Sequence, residues 1–497
     1  MAAVGYTSGD PRKVNKSGDT MTGPLVLPGN PSASLQAAPK QYVDATFTSG
    51  GTITGNLDVN ARLRNYGFNV PSLAPRTRIP PKRYASYAQN FQTGHGYTIS
   101  GVGATGNLND TSNYVSGTQS ASVTTPGNAV QSSIRKSSIG TTLDLTGKAL
   151  RVTFRVDDVT KLDRIMFYVG SSNFANYFNW AVHTHSTTSS NLVQSGEWVT
   201  LTFSWADVQS ASGTYTINSS GIPSTMSGFT DLQFSVFDRN TGAVTVNLQS
   251  IEVIPAGPET FPNGVISITF DDSYITQYDL ARPKMDQYGY RGTAYTIAQA
   301  IGSNSAVYMD VPRLRSLQNF SGWEIAGHAF STANHAMTNG FSDLTSDQVR
   351  ADFTQLKLWL GSNGFTSENF AYPKGHFEVT TDGVPVDQIA AEYWATSRTI
   401  ISETKECFPP VMAQRIRAKT GISSAGTTVA SVTATGGMLD RCVSSGDWLI
   451  LCLHKLTTGV PADANEITQT DFNTLMDAIN SRGIPVRTIN EVIRYYT

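Results

Sequence analysis

Charged side chains are scarce in this chain. Lys, Arg, Asp and Glu make up 15% of its 497 residues and leave a formal net charge of -2. That balance excludes a strongly basic nucleic-acid-binding surface and an acidic tail. Long apolar runs are also missing. No stretch approaches the ~18 consecutive apolar residues of a membrane span, so no membrane insertion is expected. The start lacks the basic region followed by an apolar run that marks a secretory leader. Cysteine is nearly absent: Cys407, Cys442 and Cys452 are odd in number and without paired spacing, which excludes a disulfide framework and a Cys-based zinc site. Cys452 lies in the apolar run Trp448-Leu-Ile-Leu-Cys-Leu453 and reads as core. Ser, Thr, Asn and Gly are abundant instead, above all before residue 260, as in β-rich modules that face the outside of a cell. At roughly 100–200 residues per domain, the length implies several domains.

Residues 1–70 are short of core-forming side chains and hold a weak repeat. Thr20-Met-Thr-Gly-Pro-Leu25 returns as Thr52-Ile-Thr-Gly-Asn-Leu57. Each copy reads as a short strand entering a Gly turn, too small to bury a core of its own, and so needs neighbouring chains. The fuller segment Lys16-Ser-Gly-Asp-Thr-Met-Thr-Gly-Pro-Leu-Val-Leu-Pro-Gly-Asn30, followed by Ala37-Ala-Pro-Lys-Gln-Tyr-Val-Asp44, resembles the repeat of bacteriophage tail-fibre and tail-spike proteins. The resemblance implies an attachment and oligomerisation region, a homotrimer, and contacts with other phage tail or baseplate proteins. It also implies a virion location, with assembly in the host cytoplasm and release by lysis, which would account for the missing leader.

A Pro- and Arg-rich linker follows at 71–83, within NVPSLAPRTRIPPKR from Asn69. Over 84–255 the apolar period is two. Val152, Phe154 and Val156 alternate with polar neighbours, as do Val199, Leu201, Phe203 and Trp205, and Val244, Val246 and Leu248. Half-buried antiparallel strands in a β-sandwich are expected, jelly-roll-like and resembling a carbohydrate-binding module. The aromatic and amide residues of Asn173–Trp180 could stack on sugar, but aromatics in a sandwich are more often core. His183 and His185 read as surface residues.

After a second linker at 256–263, strands and helices alternate through 264–497, which implies a parallel α/β fold. Val265–Phe270 and Gly292–Ile297 read as strands and Tyr278–Tyr288 as a helix. Thr345-Ser-Asp-Gln348 is a capping box that opens a helix with Val349, Phe353, Leu356 and Leu360 on one face. Thr470 is expected to cap a later helix carrying Phe472, Leu475, Met476 and Ile479.

Four motifs stand at strand ends: Thr269-Phe-Asp-Asp272, Gly322-Trp-Glu-Ile-Ala-Gly-His328 with His335 seven residues on, Asn369-Phe-Ala-Tyr-Pro-Lys-Gly-His376, and Asp447-Trp-Leu-Ile-Leu-Cys-Leu-His454. Each alone is as well explained by structure as by chemistry. Strand alternation sends Asp271 and Asp272 to opposite sides, which would give the two carboxylates different tasks. The order and spacing of the four together resemble the polysaccharide deacetylases (carbohydrate esterase family four and relatives). So does Arg282-Pro-Lys-Met-Asp-Gln-Tyr-Gly-Tyr-Arg-Gly-Thr-Ala-Tyr295.

That resemblance implies a distorted (β/α) barrel and a divalent metal, zinc first, with Co, Ni or Mn as alternatives. Asp272 and His328 would be ligands, Asp271 the general base and His454 the general acid. A backbone N–H in the loop of Tyr372, Pro373, Lys374 and Gly375 would meet the oxyanion. The family pattern of a second histidine four residues after the first is broken by Thr332. His335 is expected to return to the metal after a three-residue insertion, with His376 or solvent as the other options. Ala371 stands where many members have an arginine, which leaves Asp271 without its usual partner. The expected function is deacetylation of a host cell-surface polysaccharide by a virion protein; the alternative is a glycan-binding tail protein that has lost turnover.

Overall fold

The computed structural model describes residues 85–183, 193–219, 221–256, 261–401, 410 and 412–494. The tail-fibre-like repeat, the linker at 71–83, His185 and Cys407 lie outside them.

Among the described residues, two large antiparallel sheets and a small one, Leu143–Asp144 with Ser227–Phe229, form from residue 87 to 255. One large sheet runs in the order Tyr87–Gln89, Thr245–Pro255, Lys148–Val156, Trp198–Phe203, with Ala121–Thr124 also on Thr245–Pro255. The other runs Ser210–Ser212, Asn176–His183, Leu162–Ser171, Asp231–Asp238, Ser132–Lys136, Thr98–Ser100. The period-two pattern places Val152, Phe154 and Val156 wholly inside. Aromatic pairs join the sheets: Phe154 meets Phe234 at 5.4 Å and Phe167 meets Phe203 at 5.9 Å between centroids. Each such side chain contributes about 1.5–3 kcal/mol by leaving water. Phe178 and Trp180 of the Asn173–Trp180 segment belong to this core.

The C-terminal lobe is built on a parallel sheet. Its strands are β1 (Val265–Phe270), β2 (Thr293–Ile297), β3 (Glu324–Ala329), β4 (Asn369–Ala371), β5 (Thr396–Arg398) and β6 (Trp448–Leu453), in the order β5-β4-β3-β2-β1-β6. β1, β3 and β6 are buried at every position, as expected for strands covered on both faces. The sheet curls. Ile416 N donates to Ser397 O at 3.0 Å, and Lys419 N donates to Ile450 O at 2.8 Å, so residues 416–419 touch both edge strands.

The helices are α1 (Arg282–Gln287), α2 (Val311–Phe320), α3 (Thr332–Ala336), α4 (Ser346–Ser362), α5 (Val386–Tyr393), α6 (Val429–Thr433), α7 (Met438–Ser445), α8 (Gln469–Ser481) and α9 (Ile489–Arg494). The helix expected over Tyr278–Tyr288 begins as a π turn at Gln277–Ala281 and continues as α1. α4 opens on the capping box and buries Val349, Phe353, Leu356 and Leu360. α8 is capped by Thr468 rather than Thr470: Thr468 Oγ1 accepts from Asp471 N at 2.9 Å.

Sandwich and sheet meet through polar bridges, one buried and one partly exposed. Ser204 Oγ donates to Asp447 Oδ2 at 2.7 Å. Arg415 reaches Glu197 at 2.6 Å and, through Nε, Asp387 Oδ2 at 2.8 Å. Within the 256–263 stretch, residues 257–260 are outside the described set, but its Phe261 is buried in a cluster with Val265 and Trp448.

Candidate active site

The carboxyl ends of β1, β3, β5 and β6 converge on a cleft of about 400 Å³. Asp271 continues the β1 ladder, its N–H donating to Leu453 O at 2.9 Å, and its side chain is buried. At Asp272 the backbone turns left-handed (φ 68°), and Ser273 follows suit (φ 60°). The strand has ended, so alternation no longer applies. Both carboxylates face the same cluster, which corrects the expectation of opposite sides. Gln277 stitches the two strand exits together, its Nε2 donating to Asp271 O at 2.6 Å and to His454 O at 2.9 Å.

His328 is the penultimate residue of β3, near its exit as expected, and is buried. Its Nδ1 is 2.7 Å from Ala371 O on β4. A carbonyl can only accept, so Nδ1 carries the proton and Nε2 presents a lone pair to the cleft. His335 arrives on the short α3. Its Nε2 lies 3.0 Å from His328 Nε2 and 3.1 Å from Asp272 Oδ1, and His328 Nε2 is 3.6 Å from the same oxygen. His376 is elsewhere, its Nδ1 3.1 Å from Glu378 Oε2.

Asp271 is not left without a cationic partner. Arg398, the last residue of β5, donates from Nη2 to Oδ1 at 2.6 Å and also to Oδ2. Cys452 Sγ is 3.4 Å from Oδ2, and the Nε2 atoms of His328 and His454 are 3.9 and 3.8 Å from it. Burial alone would raise the Asp271 carboxyl, but the Arg398 guanidinium, helped by the two histidines, holds it well below the usual carboxylate range. Burial is also the largest influence on Asp272, again upward; the contact with His335 and the other histidine charges outweigh it and keep this carboxyl low. Burial pushes His328 down to about 4, against the pull of Asp271, which favours the neutral ring at neutral pH.

The loop after β4 is narrower in its options than its sequence shows. Tyr372 N donates to Arg398 O at 3.0 Å and the ring hydroxyl to Gln414 O at 2.9 Å. Pro373 has no N–H, and Gly375 N is committed to Tyr372 O at 2.9 Å. That leaves Lys374 (φ 55°) as the backbone donor of this stretch for the cleft, which Tyr372, Lys374 and Gly375 line and Pro373 does not.

Among the described residues, two trios bring three ligand-type atoms together: Asp272 with His328 and His335, and Asp271 with Cys452 and His454. The second is the poorer metal site, because both carboxylate oxygens of Asp271 already accept from Arg398. The first fits a divalent ion. Ligands about 2.1 Å from a tetrahedral centre stand roughly 3.4 Å from one another, close to the separations observed. Asp272 Oδ1 is buried without a well-aligned hydrogen bond, although His335 Nε2 is nearby. An acceptor left like this beside an imidazole lone pair is relieved by a cation.

Sequence reasoning missed Arg398, Gln277 and the contact of Cys452 with Asp271. Arg398 alone had a usable signal, since a buried aspartate needs a cation; the short strand that delivers it is seen in the structure and had no mark in the sequence.

Residues 259–387 match the family model described as polysaccharide deacetylase. No curated protein sequence matches the chain. Among solved structures, it is similar to a family 4 acetyl xylan esterase from Clostridium thermocellum in complex with a cobalt ion, at 18% identity over 46% of this chain and 91% of that one, TM-score 0.30. A family 4 carbohydrate esterase from Streptomyces lividans in complex with acetate gives 16% identity over 45% and 92%, TM-score 0.29. A structure of carbohydrate-binding modules from the β-sandwich superfamily gives 14% identity over 35% and 62%, TM-score 0.23. The matched family segment carries Asp271, Asp272, His328 and His335, and a polysaccharide deacetylase domain is thereby supported at residues 259–387.

Proposed function

We propose that this chain is a metal-dependent deacetylase that hydrolyses acetyl groups on a polysaccharide. The observation that carries the reading is the meeting of Asp272 Oδ1, His328 Nε2 and His335 Nε2 within 3.6 Å of one another, beside the buried Asp271 carboxylate. A divalent ion held by those three, zinc first, with Co, Ni or Mn as alternatives, supplies Lewis acidity toward the acetyl carbonyl and toward water.

The chain's own groups do the rest. Asp271 takes a proton from the attacking water as its oxygen bonds to the acetyl carbon. Arg398 keeps that carboxylate ionised and fixes its orientation. The Lys374 N–H donates to the oxyanion. His454 gives a proton to the departing sugar nitrogen or oxygen as its bond to the acetyl carbon breaks, leaving acetate and a free amine or hydroxyl. Metal content by mass spectrometry and acetate release from acetylated glycan panels, for wild type and Asp271→Asn, test this. Stoichiometric metal, with acetate release lost in the variant, is the expected result; no metal and no acetate across a broad panel would overturn it.

The wider setting is also a proposal. The enzyme sits on a phage tail as a homotrimer, attached through residues 1–70 to tail or baseplate proteins, and acts on a host cell-surface polysaccharide held by the sandwich. What supports this is the repeat pair Thr20–Leu25 and Thr52–Leu57 and the sequence around it. Proteomics of purified virions, with mass photometry of the full chain, tests it. Thr332 and Ala371, at positions where the resembled family carries a histidine and an arginine, are what would favour a tail protein that only grips glycan. With His335 beside His328 and Arg398 on Asp271, neither position favours loss of turnover.

A further inference from the structure

The weakest-anchored part of the site is the element that carries His335. α3 is five residues long and none of them is buried. One helical turn has no independent stability in water, and without an apolar face this one cannot be placed by packing. A cleft of about 340 Å³, lined by Gln299, Phe330, Asn334 and Asp352 among others, also flanks the turn before it.

Polar anchors hold it instead. Asp352 projects from the middle of α4 and is 2% exposed. It accepts from Phe330 N at 2.7 Å, from Ser331 N at 3.1 Å and from Asn334 Nδ2 at 2.8 Å. Those donors are the two residues leaving β3 and the residue before His335. Gln299 Oε1 accepts from Thr332 N at 3.2 Å, and Lys374 Nζ donates to Ala336 O at 3.0 Å at the far end. A buried aspartate inside a helix is unfavourable by propensity and by desolvation. Burial does push its carboxyl up against the pull of its three donors. Nothing in α4 itself calls for it.

We propose that Asp352 is a positioning residue for the metal centre. It clamps the turn between β3 and α3, so that His335, displaced from helical spacing by Thr332, still meets Asp272 and His328. The affinity for the divalent ion is thereby set partly from α4. This rests on the reading of Asp272, His328 and His335 as the groups that hold the ion.

The test uses the full chain with Zn²⁺ and Co²⁺ as probes: calorimetric titration for affinity and the visible absorption of bound Co²⁺ for ligand geometry. Asp352→Asn keeps the volume and loses acceptor capacity. Its Kd should rise about 10–100-fold, the usual cost of removing a group that orients a metal ligand, with a changed Co²⁺ spectrum. Asn334→Ala should raise Kd less. Arg350→Ala breaks the α4–α5 ion pair with Glu392 without touching the turn and should leave both readouts unchanged. Wild-type affinity and spectrum in Asp352→Asn would overturn the clamp and leave the metal site standing. A wild-type chain that binds neither ion would overturn both. Should Asp352→Asn fail to fold, Asn334→Ala decides alone, an unchanged Kd and spectrum counting against the clamp.

Discussion

Replacing Arg398 by methionine tests the electrostatics on which the site depends. Both side chains of the Arg398–Asp271 pair are almost wholly excluded from water, at 1% and 3% exposure. Removing one partner of such a pair costs about 3–5 kcal/mol, because the other charge stays buried without its counter-ion. His328 is neutral at pH 7 and does not replace the guanidinium, so we expect a loss within this range, about 3–5 kcal/mol. The folded-state pKa of Asp271 is depressed. Its contribution to stability is therefore full above the unfolded carboxyl value of about 3.9 and is lost as pH falls through the lower folded value. In the variant, burial is no longer opposed by the guanidinium, so the carboxyl rises and is protonated at higher pH. Urea unfolding of chelated protein at pH 7 should show a lower midpoint with an unchanged slope. The acidic limb of the kcat/KM profile should move upward. A variant within 1 kcal/mol of wild type, with its acidic limb in place, would refute the reasoning.

His335→Ala should abolish stoichiometric zinc binding in chelator competition, and adding Thr332→His should not restore it, because Thr332 is exposed and its amide is tied to Gln299; restored binding would mean that α3 can slide. Cys442 and Cys452 are buried, and burial is the largest factor in pushing the Cys452 thiol up. Neither should react with a thiol reagent in the native protein, both should react in urea, and fast native labelling at Cys452 would contradict its place under Asp271. Arg415→Ala removes the bridge from Glu197 to Asp387; with Glu197 about a third exposed, we expect a loss of about 2 kcal/mol rather than the full buried-pair cost. An unchanged urea midpoint would show that the sandwich and the sheet are joined by other means.

β1 and β6 were legible because short apolar runs such as Val265–Phe270 and Trp448–Leu453, bounded by turn residues, fit buried strands of this length. The acid and histidine at their exits followed from that. Direction at the exits did not follow. Alternation holds inside β1, but the left-handed backbone of Asp272 and Ser273 is a property of the turn, and neither residue type demands it. The cap of α8 shows the same limit. Thr468 and Thr470 offer the same hydroxyl, and the choice is made by the pairing of Glu466–Thr468 with Lys455–Thr457, which leaves Thr468 extended at the helix entry.

The displaced histidine and the displaced arginine share one physical cause. Sequence patterns record which chain position delivers a group, whereas the chemistry depends on where the group's atoms arrive. Arg398 is 127 residues from Asp271 along the chain, but β5 delivers it to the same edge of the sheet that β4 reaches at Ala371. The guanidinium is long enough to cross from there to the Asp271 carboxylate. His335 lies beyond the helical position of Thr332, yet a turn pinned from α4 returns its Nε2 to within 3.1 Å of Asp272. A missing residue at one expected position therefore says that the chain takes another path, and only the electrostatic need at the site shows whether the group itself is missing. A buried carboxylate without a cation would have been costly. That need was readable from Asp271 alone, whereas the strand that meets it was not.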